Sequence, residues 1–215
     1  MIPLLHDFTG TNVLVFGGGR VGARKARRFA READVTVVSP TFTDADFGGA
    51  ERVSAVPSAD DVSTWFDRVD PALVVAATDD AELNERIERQ ARDRNVLVNR
   101  TDTHGDRDHG SVVVPATVRE DPVVVAIATG GTSPALSKHL RQRLEAELAG
   151  VGEMATLTAD LRERLQEDGV PSEIRHEAVS GVVNSSRVWK TLDSGDTNVR
   201  QVAAEVVEEV TGDSE

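Results

Sequence analysis

The chain has 215 residues and sets 24 Lys+Arg against 37 Asp+Glu, a net charge of −13. With no basic stripe to neutralise phosphates, nucleic acid is not expected as the main partner. The absence of cysteine excludes a disulfide framework, a thiolate metal site and a cysteine nucleophile. No apolar run reaches the ~18 residues of a membrane span, and the first residues lack a signal-peptide pattern. The expectation is a cytoplasmic protein. Nearly all the positive charge is arginine, since Lys25, Lys138 and Lys190 are the only lysines. An acidic, lysine-poor surface resembles those of proteins from salt-loving organisms and predicts weak folding at low salt.

Residues 1–11 read as a lead-in, with Leu4, Leu5 and Phe8 available for packing. A strand is expected at 13–16. It ends in Gly17-Gly18-Gly19-Arg20-Val21-Gly22, a G-x-G-x-x-G pattern that opens a helix over 20–31. Strand, glycine turn and helix together read as a dinucleotide site, because glycines let the backbone approach a pyrophosphate and the helix start supplies N–H groups and a positive dipole. A second strand at 33–38 closes the βαβ unit. Ser39, Pro40 and Thr41 follow where a common NAD fingerprint has Asp or Glu for the ribose hydroxyls, so hydroxyl or backbone groups must substitute.

A short strand at 52–56 and a helix at 60–66 come next, the latter with Trp65 and Phe66 inward. The apolar run at 72–77 reads as a strand buried on both faces. Thr78-Asp79-Asp80 caps a helix reaching Arg94, with Leu83, Ile87 and Ala91 on one stripe. Another strand is expected at 96–98, a polar loop at 99–110, two strands at 111–114 and 122–128, and a turn between them at 119–122. Ser133 caps, and Pro134 starts, a helix to about 148 with Leu136, Leu140 and Leu144 on one face.

Beyond Gly150 the pattern is helical. Met154, Leu157, Leu161 and Leu165 form one stripe; Ile174, Ala178, Val182 and Val183 another; Val199, Val202, Ala203, Val206 and Val210 a last one. Three such helices make a poor core alone and should pack on the first domain or on another subunit. The fold expected is α/β: a Rossmann-type doubly wound parallel sheet, a small β/α substrate region and an all-helical C-terminal region. The corresponding spans are 1–110, 111–149 and 150–215. Ligands of such sheets bind beyond the carboxyl ends of the strands, which gathers 17–22, 39–41, 78–80 and 99–102 around one crevice.

The runs VLVFGGGRVG (13–22), VTVVSP (35–40), VVAATDD (74–80) with Leu83 and Asn84, Val98-Asn99 and IATGGTSPAL (127–136) resemble the precorrin-2 dehydrogenase family. That family includes the dehydrogenase/ferrochelatase half of siroheme synthases. The resemblance covers about residues 2–149 well and the helical tail loosely. It implies NAD-dependent oxidation of precorrin-2 to sirohydrochlorin, Fe²⁺ or Co²⁺ chelation in some members, a stand-alone form, and a homodimer whose helical parts interlock. An NAD(H)-sensing module without catalysis is the alternative.

Within that resemblance, Asp102 matches an Asp three residues beyond the strand-ending Asn99. It is expected to act as general base or as electrostatic partner of the substrate cation; a loop-capping Asp is the plain alternative. Gly17, Gly18, Gly19, Arg20, Val21 and Gly22 would hold the pyrophosphate. Ser39, Pro40 and Thr41 would lie on the adenosine ribose, and Thr78 and Asp79 beside the nicotinamide. Asn99, Gly130, Gly131, Thr132, Ser133 and Lys138 are assigned to the substrate, whose eight carboxylates need local positive charge; Arg100, Arg119, His139 and Arg141 are further candidates. The loop before Ser111 is longer than usual and carries His104, Asp106, Asp108 and His109. Such groups could handle Fe²⁺ or Co²⁺, but it reads as an acidic surface insertion, and no metal ligand is assigned.

Overall fold

The computed structural model describes residues 3–103 and 110–212. The chain divides into two compact units, Met1–Val114 and Pro115–Glu215.

The first unit is a five-stranded sheet with every pairing parallel. Its strands are β1 (Asn12–Phe16), β2 (Asp34–Ser39), β3 (Glu51–Ser54), β4 (Leu73–Ala76) and β5 (Leu97–Arg100), in the order β3-β2-β1-β4-β5. The helices are α1 (Arg20–Phe29), α2 (Val62–Val69) and α3 (Ala81–Asp93). The order reverses at β1, so β2 and β4 flank it and the loops leaving β1 and β4 diverge there. Side chains alternate between two cores, as the period of a strand requires. Leu14, Phe16, Val74, Ala76 and Val98 pack against Val62 and Phe66 of α2 and Leu83, Ile87 and Ala91 of α3. Val13, Val15, Val35, Val37 and Val75 pack against Ala23, Ala26 and Phe29 of α1. Burial on both faces explains why β1 and β4 read as unbroken apolar runs. The Rossmann-type sheet is as the sequence led us to expect.

Several details differ from expectation. Leu4 and Leu5 are 86% and 80% exposed, and only Phe8 packs, edge-on against Phe29. Residues 111–114 do not form a regular strand. Val98 N–H donates to the Gly110 carbonyl and Val112 N–H to the Val98 carbonyl, covering the open edge of β5 through one bridge. Pro115 has no N–H to extend that pairing. The second unit begins instead with an antiparallel hairpin, β6 (Ala116–Glu120) and β7 (Val123–Ile127), so Arg119 and Glu120 lie in a strand and only Asp121 and Pro122 turn.

After the hairpin come α4 (Pro134–Glu147), α5 (Val151–Glu167), α6 (Ser172–Asn184), α7 (Ser186–Asp193) and α8 (Val199–Gly212). The sequence reading missed α7, whose amphipathic run is only eight residues long. Its buried Val188 and Leu192 join Met154, Leu157, Leu161, Val182, Ala203 and Val206 in one core. With this fourth element the helices share one core of their own. Val183, assigned to the buried stripe, is 40% exposed. The α5 helix also meets the hairpin, since a Cβ on Gly152 would stand 2.7 Å from the Glu120 carbonyl oxygen. The apolar residues of α4 stay on a helix with no buried position, Leu136 being 46% exposed.

Candidate active site

The glycine turn sits where the strand order reverses. Gly17 N–H donates to the Val38 carbonyl and Ala77 N–H to the Phe16 carbonyl, binding the turn to both neighbouring strands. Gly17 has φ +115°, open to glycine but not to L side chains, and a Cβ there would overlap the Ala77 carbonyl. A Cβ on Gly22 would overlap the Gly17 carbonyl, so this glycine permits close helix–strand packing. Gly18 is an unspecified position of the motif, yet it is equally crowded. Its Cβ would stand 2.8 Å from Ser39 Oγ and 2.9 Å from Phe42 Cδ1, because the 39–43 segment folds over it and Thr43 N–H donates to the Gly18 carbonyl.

Gly19 is the exception. A Cβ at this position meets nothing within 4 Å. The residue is exposed and forms the N-cap of α1, whose first turn has no side-chain cap and no acid. Arg20 and Val21 are exposed beside it. The first N–H groups of a helix have no intrahelical partners. A crowded turn with one open position at a helix start therefore fits a dinucleotide pyrophosphate. Ser39 is buried at the end of β2, while Pro40 and Thr41 are exposed.

A polar network joins the loops after β4 and β5. Asp80 caps α3 by accepting from Glu82 and Leu83 N–H, both at 3.0 Å. Asn84, in the first turn of α3, is fully buried. Its Oδ1 accepts from Thr78 N–H at 3.2 Å and Thr78 Oγ1 at 2.8 Å, and its Nδ2 donates to the Thr78 carbonyl at 3.0 Å and Asp102 Oδ2 at 3.2 Å. Arg100 grips Asp102 with two bonds, Nε to Oδ1 at 2.8 Å and Nη2 to Oδ2 at 3.0 Å. Its Nη1 donates to Glu88 Oε2 at 2.9 Å. These contacts hold the Asp102 carboxyl below the usual carboxylate range, chiefly through the Arg100 hydrogen bonds and with help from Asn84, and they raise the Arg100 pKa. Arg100 is thus paired with two acids rather than free for substrate carboxylates. Asp79 is exposed at the same end of the sheet.

Asn99 is 4% exposed and donates from Nδ2 to the Val112 carbonyl at 2.8 Å, leaving its buried Oδ1 unpartnered. The second unit holds the remaining candidates. Gly130 and Gly131 both have positive φ, and a Cβ on either meets nothing within 4 Å. Thr132 Oγ1 donates to the Thr129 carbonyl at 2.6 Å, and Ser133 Oγ accepts from Leu136 N–H at 3.3 Å, so Ser133 is a helix cap as read from the sequence. Lys138 and His139 are exposed, and Arg141 is ion-paired with Glu145. His104, Asp106, Asp108 and His109 lie outside the described residues. Among the described residues no group of three or more His, Asp or Glu is arranged to hold a metal, and no helix is long and apolar enough to cross a membrane.

Asn84 and Arg100 are the main members of this network that sequence reasoning did not assign to it. The signals for the first were its place one residue after a stripe leucine and its part in the family resemblance.

A glycine cradle at the reversal point of a parallel sheet defines an NAD(P)-binding protein of Rossmann type. Residues 4–116 match the family model described as putative NAD(P)-binding. The chain is 34% identical over 195 residues to precorrin-2 dehydrogenase of Methanosarcina barkeri, covering 87% of this chain and 85% of that one. It is also 34% identical over 167 residues to siroheme synthase of Photobacterium profundum, covering 76% of this chain but 34% of that longer protein. A solved structure titled SirC, precorrin-2 dehydrogenase, shares the fold, with a TM-score of 0.70, 21% identity, and 97% and 100% of the two chains covered. The chain belongs to the precorrin-2 dehydrogenase family.

Proposed function

We propose that this chain is an NAD-dependent oxidoreductase that converts precorrin-2 to sirohydrochlorin for siroheme synthesis. The reaction removes two hydrogens. One leaves the macrocycle with its electron pair, the other as a proton released to solvent. Bound NAD⁺ supplies the hydride acceptor. The backbone of Gly17–Gly22 binds its pyrophosphate, Ser39, Pro40 and Thr41 adjoin the ribose, and Thr78 and Asp79 lie toward the nicotinamide.

One observation carries the reading: an aspartate at the carboxyl end of β5 is kept ionised by Arg100 and tied through Asn84 to the loop after β4. Loss of hydride leaves positive charge on the macrocycle, and a fixed anion in a preorganised site stabilises it. Its depressed pKa makes Asp102 a weak base, so the electrostatic role is favoured over proton abstraction. A sensor without chemistry would gain nothing from this arrangement. The Gly130–Ser133 loop and Lys138 serve the substrate carboxylates, whereas Asn99, whose amide N–H is held by the Val112 carbonyl and whose free Oδ1 only accepts, cannot bind a carboxylate; the working form is a homodimer, and the location is cytoplasmic. Anaerobic precorrin-2 with NAD⁺ tests the assignment: NADH and the sirohydrochlorin spectrum should appear together in equal amounts. Absence of both rejects it. Later addition of Fe²⁺ or Co²⁺ asks whether insertion exceeds the spontaneous rate.

A further inference from the structure

We propose that Asn84 is a positioning residue that locks the cofactor loop after β4 to the Asp102 carboxylate, so that both halves of the site hold one register. The inference rests on the function proposed above. Asn84 follows Leu83 on α3 and is completely buried, a position where an amide is costly unless every polar atom is bonded. An Asn amide has two donors and two acceptor sites, and all four are used here. Three of these bonds grip Thr78 at its N–H, hydroxyl and carbonyl. They would be enough to shape the loop. The fourth crosses from α3 to the end of β5 and reaches the acid assigned to the substrate.

Arg100 and Asn84 therefore hold Asp102 from two directions. Arg100 is itself tied to Glu88, one helical turn beyond Asn84 on the same helix. The acid is referenced twice to α3, and the Thr78 loop is referenced to the same helix through Asn84 and the Asp80 cap. Thermal motion of the Thr78 loop relative to Asp102 must break a partly buried hydrogen bond, and this preserves the geometry between cofactor and anion.

Two variants test the assignment, measured by NADH affinity and by kcat and KM for precorrin-2. Asn84→Ala should weaken NADH binding about tenfold and lower kcat about 100-fold, the loss a ~1 Å misplacement brings, while KM for precorrin-2 changes less than about threefold. Asn84→Asp keeps the acceptor for Thr78 N–H and hydroxyl and removes both donors, setting a carboxylate against Asp102 and the Thr78 carbonyl. The other charged groups around this position are Arg100 from β5 and Glu88 and Asp80 from α3 and its cap. Two facing carboxylates raise one pKa, and a shared proton restores the bond to Asp102, one of the two that were lost. The activity of Asn84→Asp relative to wild type should therefore rise as pH falls, a response a purely structural role would not give. Affinity and kcat of Asn84→Ala within about twofold of wild type, or a pH profile of Asn84→Asp parallel to wild type, overturns the proposal. Should Asn84→Ala fail to fold, Asn84→Asp decides. Wild-type turnover with unaffected variants rejects Asn84 alone. Absent wild-type turnover rejects the reaction, and the NADH affinities still judge the loop anchor.

Discussion

Replacing Gly19 and Gly22 separately by alanine distinguishes a glycine needed for a ligand from one needed for the fold. Gly19 has φ −79° and ψ −177°, which alanine adopts freely, and its Cβ would meet nothing within 4 Å. Alanine is poorer than glycine at an N-cap by about 0.5–1 kcal/mol, but it removes about 0.4–1 kcal/mol of unfolded-chain entropy. The two nearly cancel, so melting should shift by less than about 3 °C. The new methyl would occupy the space needed for close backbone approach to a pyrophosphate, and NADH affinity should fall at least about tenfold, or ~1.4 kcal/mol. At Gly22 the balance reverses. Its Cβ overlaps the Gly17 carbonyl and would stand 2.9 Å from the Gly17 carbonyl carbon, so α1 must lift from β1. Overpacking of this kind costs about 1–3 kcal/mol, or about 2–12 °C. Differential scanning calorimetry and NADH fluorescence titration read both variants. Unchanged NADH affinity in Gly19→Ala would refute the placement of the pyrophosphate, and an unshifted melt in Gly22→Ala would refute the packing argument.

Asp102→Asn keeps the shape and removes the charge; turnover should fall about 100-fold or more with NADH affinity nearly unchanged, and wild-type rates in this variant would end the case for Asp102. Because Arg100 depresses the folded-state pKa of Asp102, their mutual stabilisation is present above the ordinary carboxylate value of about 4 and is lost as pH falls through the lower folded value. The acid limb of kcat/KM due to Asp102 should accordingly lie below about pH 4. Arg100→Gln should move that limb to higher pH and cost about 1–3 kcal/mol, since Glu88 loses its close partner; a stationary limb would show that Arg100 does not set the charge. Finally, the melting temperature should climb from dilute buffer to molar KCl, as salt screens the self-repulsion of a chain with net charge −13. Salt weakens exposed pairs such as Arg187 with Glu205 and Glu209, so a rise isolates the net-charge effect, and a flat response contradicts the inference from composition.

The parallel sheet was legible because its signals are local. Apolar runs buried on two faces, a G-x-G-x-x-G turn and helix stripes at 83, 87 and 91 depend on residues within a few turns of one another. The Ser133 cap was readable for the same reason. Short or edge features were not. Residues 111–114 are valine-rich, but whether they pair as a strand depends on the edge of β5 and on Pro115. The eight residues of α7 have too few turns to announce a helix, although Val188 and Leu192 complete the second core.

Sequence alone therefore determined the class of fold, the place of the glycine turn and the family, because turn sterics, strand burial and motif spacing are properties of short segments. Tertiary structure decided how the charges in the site are spent. Arg100 was legible as a cation and Asp102 as an acid, but only folding brings Glu88, Asn84 and Thr78 to them and converts a free cation into the group that keeps Asp102 ionised. Electrostatics and hydrogen bonding act over a few ångströms in space, and residues 78, 84, 88, 100 and 102 become neighbours only when β4, α3 and β5 pack together.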